Sequence, residues 1–329
     1  MNRIGAIAAM LGAMLLAAPA AVLAQQPLKI GFGMSLTGPL AGNGKAALIA
    51  MEIWRDDGRR VAMRCHGRDQ DQVVLVEGRK KRMHHVCFGA RAEALAGLTA
   101  RLEKNGTQLL DAPRETPADG LWFRDADDLL VNVRVAEPAP WAPAAEWKIN
   151  SPGHLNRIGV PGHPPRGAVV HPRRLGHVLR FTPNMEQQVD FYTRVVGMRL
   201  SDRAQDIVAF LRNGEGGSDH HVLGFIKCDR PGYHHASFEV AYVDEVGLGA
   251  CRLLDKGYRN GWGFGRHVIG SNFFHYIRDP WGSLVEYFCD IDYIPDGSDW
   301  QPRNYPPEDS LYVWGPGVPD DFGANFEAD

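Results

Sequence analysis

The sequence predicts an α+β protein built of paired βαβββ units: one pair (175–228 and 233–290) forms a complete second module, and the first module is a copy truncated at its start. Three observations lead there. MHHVCFGARAEALAGLTARLEKNG (83–106) and YHHASFEVAYVDEVGLGACRLLDKG (233–257) share one layout: a His-His pair on an alternating strand, a helix with apolar residues at helical spacing, and a glycine stop. LWFRDADDLLVNVRV (121–135) and HYIRDPWGSLVEYFC (275–289) both read as strand, Arg-Asp turn, strand. RVAMRCHGRDQDQVVLVEG (60–78) and IVAFLRNGEGGSDHHVLGF (207–225) both read as two strands around a Gly-rich turn. Self-similarity on this scale means that one supersecondary unit is used twice.

Along the chain, residues 1–24 read as a secretory signal peptide. Arg3 supplies the positive start, Ile4 to Leu16 an apolar stretch, and Val22-Leu23-Ala24 a small-residue cleavage site. The apolar run is short and broken by Gly5, Gly12 and Pro19, so no stable membrane span is expected. In 25–57, PLKIGFGMSLTGPLAGNGKAALIAMEI (27–53) reads as a strand, a Thr-Gly-Pro loop and an Ala-rich helix. It resembles the mature start of branched-chain amino-acid-binding proteins of ABC importers, but no alternation of strands and long helices follows to build two lobes. Residues 58–140 form the truncated module, without an opening strand and helix of its own. Residues 141–170, within a Pro-, Ala- and Gly-rich stretch, read as a linker.

Residues 171–295 hold the complete module. LGHVLRF is its first strand, Thr182 is expected to cap a helix with Pro183 in its first turn, and Gly197 ends that helix. The tail, 296–329, is aromatic, acidic and Pro-rich. Its composition suits a disordered end, while the interleaved Trp300, Tyr305, Tyr312, Trp314 and Phe322 suit a strap packed over the protein.

Composition narrows the function. With 44% hydrophobic and 23% charged residues the 329-residue chain is globular, and a formal net charge of -3 gives no electrostatic case for nucleic acid. Five dispersed cysteines without a CxxC pair argue against a disulfide framework or a zinc knuckle.

The residues that carry chemistry lie in the second module. GRHVIGSNFFHYIRDPWGSLVEYF (265–288) spaces His267, Tyr276, Asp279-Pro280, Gly282 and Glu286. Upstream stand His177 in LGHV, His221 in DHHVLGF and His235 in YHHASFEV. Strand alternation lets only one histidine of each His-His pair face a cleft, and the expected ones are His221 and His235 rather than His220 and His234. An unpaired carboxylate at Glu286, inside an apolar strand, would be costly, so a metal or an ion pair is expected there.

This pattern resembles the type I extradiol dioxygenases of the vicinal-oxygen-chelate (glyoxalase) superfamily. The resemblance implies that His177, His235 and Glu286 ligate Fe(II), with Mn(II) the alternative. A two-histidine, one-carboxylate set leaves adjacent positions for a vicinal diol and O2. It further implies His221 as acid/base, with His267 and Tyr276 orienting the ring, and it implies a homo-oligomer that opens a catechol-type substrate in aromatic-compound degradation. Another superfamily activity (glyoxalase or lyase) and an ABC-importer solute-binding protein are the other readings. The family works in the cytoplasm, whereas a functioning leader would direct the chain to the periplasm. In the first module, Arg124-Asp125 aligned with Arg278-Asp279 puts Asn132 where Glu286 falls. Gln72 is expected opposite His221, and His85 is left alone, so that module is expected to be metal-free with a structural His84-His85 pair.

Overall fold

The computed structural model describes residues 30–36, 51–114, 116–136, 139 and 146–327. The signal peptide expected at 1–24 and the helix expected after the first strand lie outside the described residues.

The first module comprises β1 (Ile30–Leu36), β2 (Glu52–Asp56), β3 (Arg60–Arg64), β4 (Val73–Glu77), β5 (Arg82–Ala90), α1 (Ala92–Lys104), β6 (Leu121–Arg124) and β7 (Leu130–Val135). Its strands lie in the order β2-β3-β4-β1-β5-β7-β6. The second comprises β8 (Arg174–Thr182), α2 (Met185–Asp190), β9 (Arg199–Ala204), β10 (Val208–Arg212), β11 (Leu223–Lys227), β12 (Gly232–Glu239), α3 (Val243–Asp255), β13 (Asn260–His267), β14 (Phe273–Arg278) and β15 (Leu284–Cys289). The tail adds β16 (Arg303–Asn304) and β17 (Tyr312–Trp314), giving the order β16-β9-β10-β11-β8-β12-β15-β14-β13-β17. The tail is therefore a strap whose two short strands close the ends of the large sheet.

The repeat is exact in its hydrogen bonding. In the second module β8 runs parallel to β11 and antiparallel to β12, pairing Leu179 with His235. In the first, β1 runs parallel to β4 and antiparallel to β5, pairing Gly33 with His85. The opening strand expected to be missing is thus supplied by Ile30–Leu36. The binding-protein-like segment spends its strand on this sheet, because a sheet position requires only backbone donors and acceptors in register. The Arg-Asp turns also superpose in bonding. Asp125 N donates to Leu129 O as Asp279 N donates to Ser283 O, and Asp128 (φ 64°) stands where Gly282 (φ 90°) does. Such a turn needs a left-handed residue at its fourth position, which Gly adopts freely and Asp tolerates.

Two expectations shift. Asn184, not Thr182, caps α2: its side chain accepts from Gln187 N, while Thr182 Oγ1 accepts from Asn184 N. Beyond α2, Phe191–Val196 continues as a π-helical turn to Gly197, whose φ of 94° ends it as expected. The pairing of Val73 and Leu223 with equivalent positions of β1 and β8 sets Gln72 against Val222 and Asp71 against His221, one residue from the expected alignment. A Gly-rich turn of different length in each copy hides that register from the sequence.

One hydrophobic cluster runs through both modules, from Val61 and Phe88 through Leu102 and Phe123 to Phe225, Phe238 and Cys289. Every residue of β8 is buried, as a central strand covered on both faces must be.

Candidate metal centre

Sheet register puts the candidate ligands on one face. Across β8, β12 and β15, His177 pairs with Ser237 and Ser237 with Glu286. Glu286 in turn pairs with Tyr276 on β14. These four residues form one row across the strands, and His235, two residues before Ser237, shares its face. The small Ser237 in the middle of the row lets the longer side chains on either side meet above it.

They do meet. Nε2 of His177 lies 3.1 Å and Nε2 of His235 3.4 Å from Oε2 of Glu286. One ligand atom from each residue can be chosen so that all lie within 4.8 Å of one another, and all three residues are buried. Asn272 Nδ2 donates to Glu286 Oε1 at 3.2 Å. Nε2 of His235 is buried without a proper hydrogen-bond partner. A fully buried carboxylate faced by two imidazole nitrogens, one of them orphaned, is the donor set of a divalent metal with mixed nitrogen and oxygen preference. The residues fit Fe(II) or Mn(II).

The first module shows what the same backbone does without ligands. The positions equivalent to His177, His235 and Glu286 are Gly31, His85 and Asn132. Asn132 spends its amide on Asp119 O and Leu121 O, and His85 packs against Trp122. No metal-ligating trio occurs there among the described residues.

Around the triad, His221 lies with its ring 4.3 Å from that of His177 and 4.4 Å from that of Phe210. His267 Nδ1 is 2.7 Å from Leu311 O, and its Nε2 is 3.0 Å from the Tyr276 hydroxyl and 3.6 Å from Glu286 Oε1. A carbonyl only accepts, so Nδ1 of His267 carries the hydrogen and Nε2 of the neutral ring accepts from Tyr276. His234 and His220, the partners expected to face away, do so: His234 Nε2 donates to Phe322 O and His220 Nε2 to Asp202 Oδ2, each at 2.8 Å. Sequence reasoning missed Asn272 and the strap carbonyls. A backbone acceptor has no residue signature, and Asn272 looks like any loop asparagine.

Burial dominates the electrostatics. Desolvation holds His221 well below the ordinary imidazole range, with His177 and His220 adding to it, and lowers His235 to about 4 despite the opposing pull of Glu286. Desolvation also raises the Tyr276 hydroxyl well above its usual value, reinforced by Glu286. Burial acts to raise the Glu286 carboxyl too, but the imidazoles of His177, His235 and His267 that face it outweigh this and hold it well below the usual carboxylate range. A depressed His235 and a depressed Glu286 carboxyl favour the neutral imidazole and the carboxylate, the forms in which such groups bind a metal.

Fold and donor set together define a class: a paired βαβββ protein with a buried two-histidine, one-carboxylate metal centre in its second module. Residues 174–287 match the Glyoxalase/Bleomycin resistance protein/Dioxygenase superfamily. Metapyrocatechase 2 of Cupriavidus necator is 45% identical over 259 residues, covering 77% of this chain and 78% of that protein. The iron-dependent extradiol dioxygenase of Rhodococcus jostii (strain RHA1) is 27% identical, over 80% of this chain and 92% of that one. The crystal structure of the Mn(II)-bound glyoxalase from Novosphingobium aromaticivorans superposes with a TM-score of 0.70 at 25% identity, covering 89% and 93% of the two chains. The chain belongs to the extradiol dioxygenases of this superfamily.

Proposed function

We infer that this chain is an Fe(II)-dependent extradiol dioxygenase that opens a catechol-type ring beside its two hydroxyls, both atoms of O2 entering the product. The observation that carries the reading is the meeting of His177, His235 and Glu286 on one face of the complete module. Fe(II) held by His177, His235 and Glu286 would supply the redox chemistry between a vicinal diol and O2; Mn(II), held in the related Novosphingobium structure, would suit the same donors. His221, uncharged and against the triad, takes the proton that a catechol hydroxyl loses on binding and returns it to oxygen later. Tyr276 and His267 orient the ring: the hydroxyl bridges toward the site, while His267, its Nδ1 hydrogen fixed on Leu311 O, donates from Nε2 only as the imidazolium. The buried walls exclude the water that would quench the reaction.

A glyoxalase or lyase would use its metal as a Lewis acid and take a fourth protein ligand. The further imidazole beside the carboxylate, His267, lies with Nε2 3.6 Å from Glu286 Oε1 and is engaged by Tyr276. The solute-binding reading plays no part, since its one described strand is built into the first sheet. Among the described residues no helix is long and apolar enough to cross a membrane. We assign the enzyme to the cytoplasm, where Fe(II) stays reduced, and to a homo-oligomer; cell fractionation and gel filtration of the full chain test the two.

Incubation with catechol under air should give a yellow ring-fission product with one O2 consumed per ring. In metal analysis of purified protein, His177→Ala and Glu286→Gln should lose iron, whereas His221→Phe should keep it and lose turnover by about 100-fold or more. Full iron content in the first two variants would remove the ligand assignment.

A further inference from the structure

The His-His pair at 220–221 holds a structure that the reading above leaves unused. Asp202, on β9, is buried, and its two oxygens are divided. Oδ1 accepts from Arg303 N of the strap at 2.6 Å, and Oδ2 lies 2.8 Å from His220 Nε2. His220 Nδ1 in turn lies 3.0 Å from His221 Nδ1. Trp300, whose indole N–H donates to Ser201 O, packs its ring edge-on at 5.5 Å from that of His220 and seals the chain of bonds from solvent.

Counting hydrogens gives the consequence. A carboxylate only accepts, so His220 carries its hydrogen on Nε2 and its Nδ1 must accept. The hydrogen between the two rings then belongs to His221 Nδ1, and His221 Nε2 is left bare. No hydrogen bond from a described residue reaches that nitrogen, and the ring carrying it packs against the ligand His177, 4.3 Å away and tilted by 57°. A proton acceptor needs a bare nitrogen toward its substrate, and a second histidine backed by a carboxylate fixes which nitrogen that is.

We propose that Asp202 and His220 are positioning residues that fix the tautomer of His221, so that its Nε2 meets the substrate as an acceptor. This rests on the acid/base reading of His221. The relay deepens that reading by naming what a lone histidine lacks: a reason to present one nitrogen rather than the other. In the first module the His84-His85 pair repeats the Nδ1-to-Nδ1 contact at 2.9 Å, but no hydrogen bond ties His84 Nε2 to an acceptor among the described residues, and no site stands beside it. The anchored form occurs beside the metal centre.

Asp202→Asn is the decisive variant because it is isosteric and its orientation is forced. Arg303 N–H requires an oxygen, so the new amide nitrogen must face His220 Nε2. His220 then carries its hydrogen on Nδ1, and His221 is driven into the opposite tautomer with Nε2 protonated. Iron-loaded Asp202→Asn should keep its metal and its thermal midpoint while kcat/KM for catechol falls roughly 10- to 100-fold. The loss should shrink with 4-nitrocatechol, which is already ionised at neutral pH and needs no base. His220→Leu should lose turnover similarly, and His220→Asn, which keeps an acceptor oxygen near the Nδ1 position, should recover most of it. Equal losses on both substrates, or loss of iron from Asp202→Asn, would make Asp202 a structural group and overturn the relay. Wild-type kinetics in Asp202→Asn alongside an inactive His221→Phe would overturn the relay alone; an active His221→Phe would remove the acid/base reading on which it stands.

Discussion

At the scale of single residues, the centre depends on which side chain is small as much as on which can ligate. Ser237 sits in the row between His177 and Glu286, wholly buried, and its hydroxyl makes no hydrogen bond. Nothing in its chemistry is used; its size is. Strands pair at about 4.8 Å, so His177 and Glu286 start nearly 10 Å apart and close to 3.1 Å only by reaching over that residue. Ser237→Val fits a strand by propensity, yet its methyl groups occupy the space that the two ligands share. The variant should fold, with its denaturation midpoint little changed, and its iron content should fall about tenfold or more, as supporting residues of metal sites commonly require. Unaltered iron would mean that the ligands can meet by another path. The ligands themselves were legible in the sequence because a metal demands particular atoms, and His177, His235 and Glu286 stand out on apolar strands. Ser237 was not, since a residue selected for absence of bulk carries no mark.

At the scale of elements, the strands of the second module could be read from alternation and turn chemistry, whereas the strap could not be told from a disordered tail. The physical reason is that its contacts are irregular. Leu311 O holds His267, Phe322 O holds His234, Glu327 accepts from Met83 N and Tyr233 N, and no periodicity links these positions. The opening strand of the first module escaped notice for a related reason: Ile30–Leu36 bears no likeness to β8 in sequence and matches it only in register. Phe322 makes the most contacts with the site of any strap ring, edge-on to His234 at 4.9 Å, Trp262 at 4.9 Å and Tyr276 at 5.3 Å. Phe322→Ala leaves the carbonyl in place but removes the wall behind Tyr276. It should lower stability by on the order of 2 kcal/mol, less than the 3–5 typical of a core Phe, because the residue is only half-buried. The KM for catechol should rise with iron retained. An unchanged KM in steady-state oxygen uptake would reduce the strap to packing alone.

At the scale of the molecule, the first module is needed because each Arg-Asp turn is secured from the other module. Lys81, ahead of β5, donates to Trp281 O and Ser283 Oγ at the turn that aligns Tyr276 with Glu286. In exchange Arg180, on β8, pairs with Asp125 in the turn of the first module, and the Tyr192 hydroxyl donates to the same Asp125 oxygen at 3.0 Å. Arg101 of α1 also donates to Val195 O and Val196 O, the unpaired carbonyls ending the π-helical turn. With one hydrophobic cluster shared as well, the two modules should unfold as a unit. The buried pair tests this. Arg180 is 0% exposed, so removing the carboxylate paired with it leaves a guanidinium in the core with the Tyr192 hydroxyl and the more distant Asp127 to answer it. Asp125→Asn preserves the side-chain acceptor for Asp127 N and Leu129 N, so the turn survives, while the charge and the acceptor that Oδ2 offers to Arg180 and Tyr192 are lost. The cost should be about 3–5 kcal/mol, the penalty of an orphaned buried ion. Chemical denaturation should show both modules melting together at lower denaturant, followed by tryptophan emission for the fold and by iron release for the second module. Separate transitions, with iron held after the first module has melted, would show that the catalytic half stands alone and that the pairing of modules serves something other than its stability.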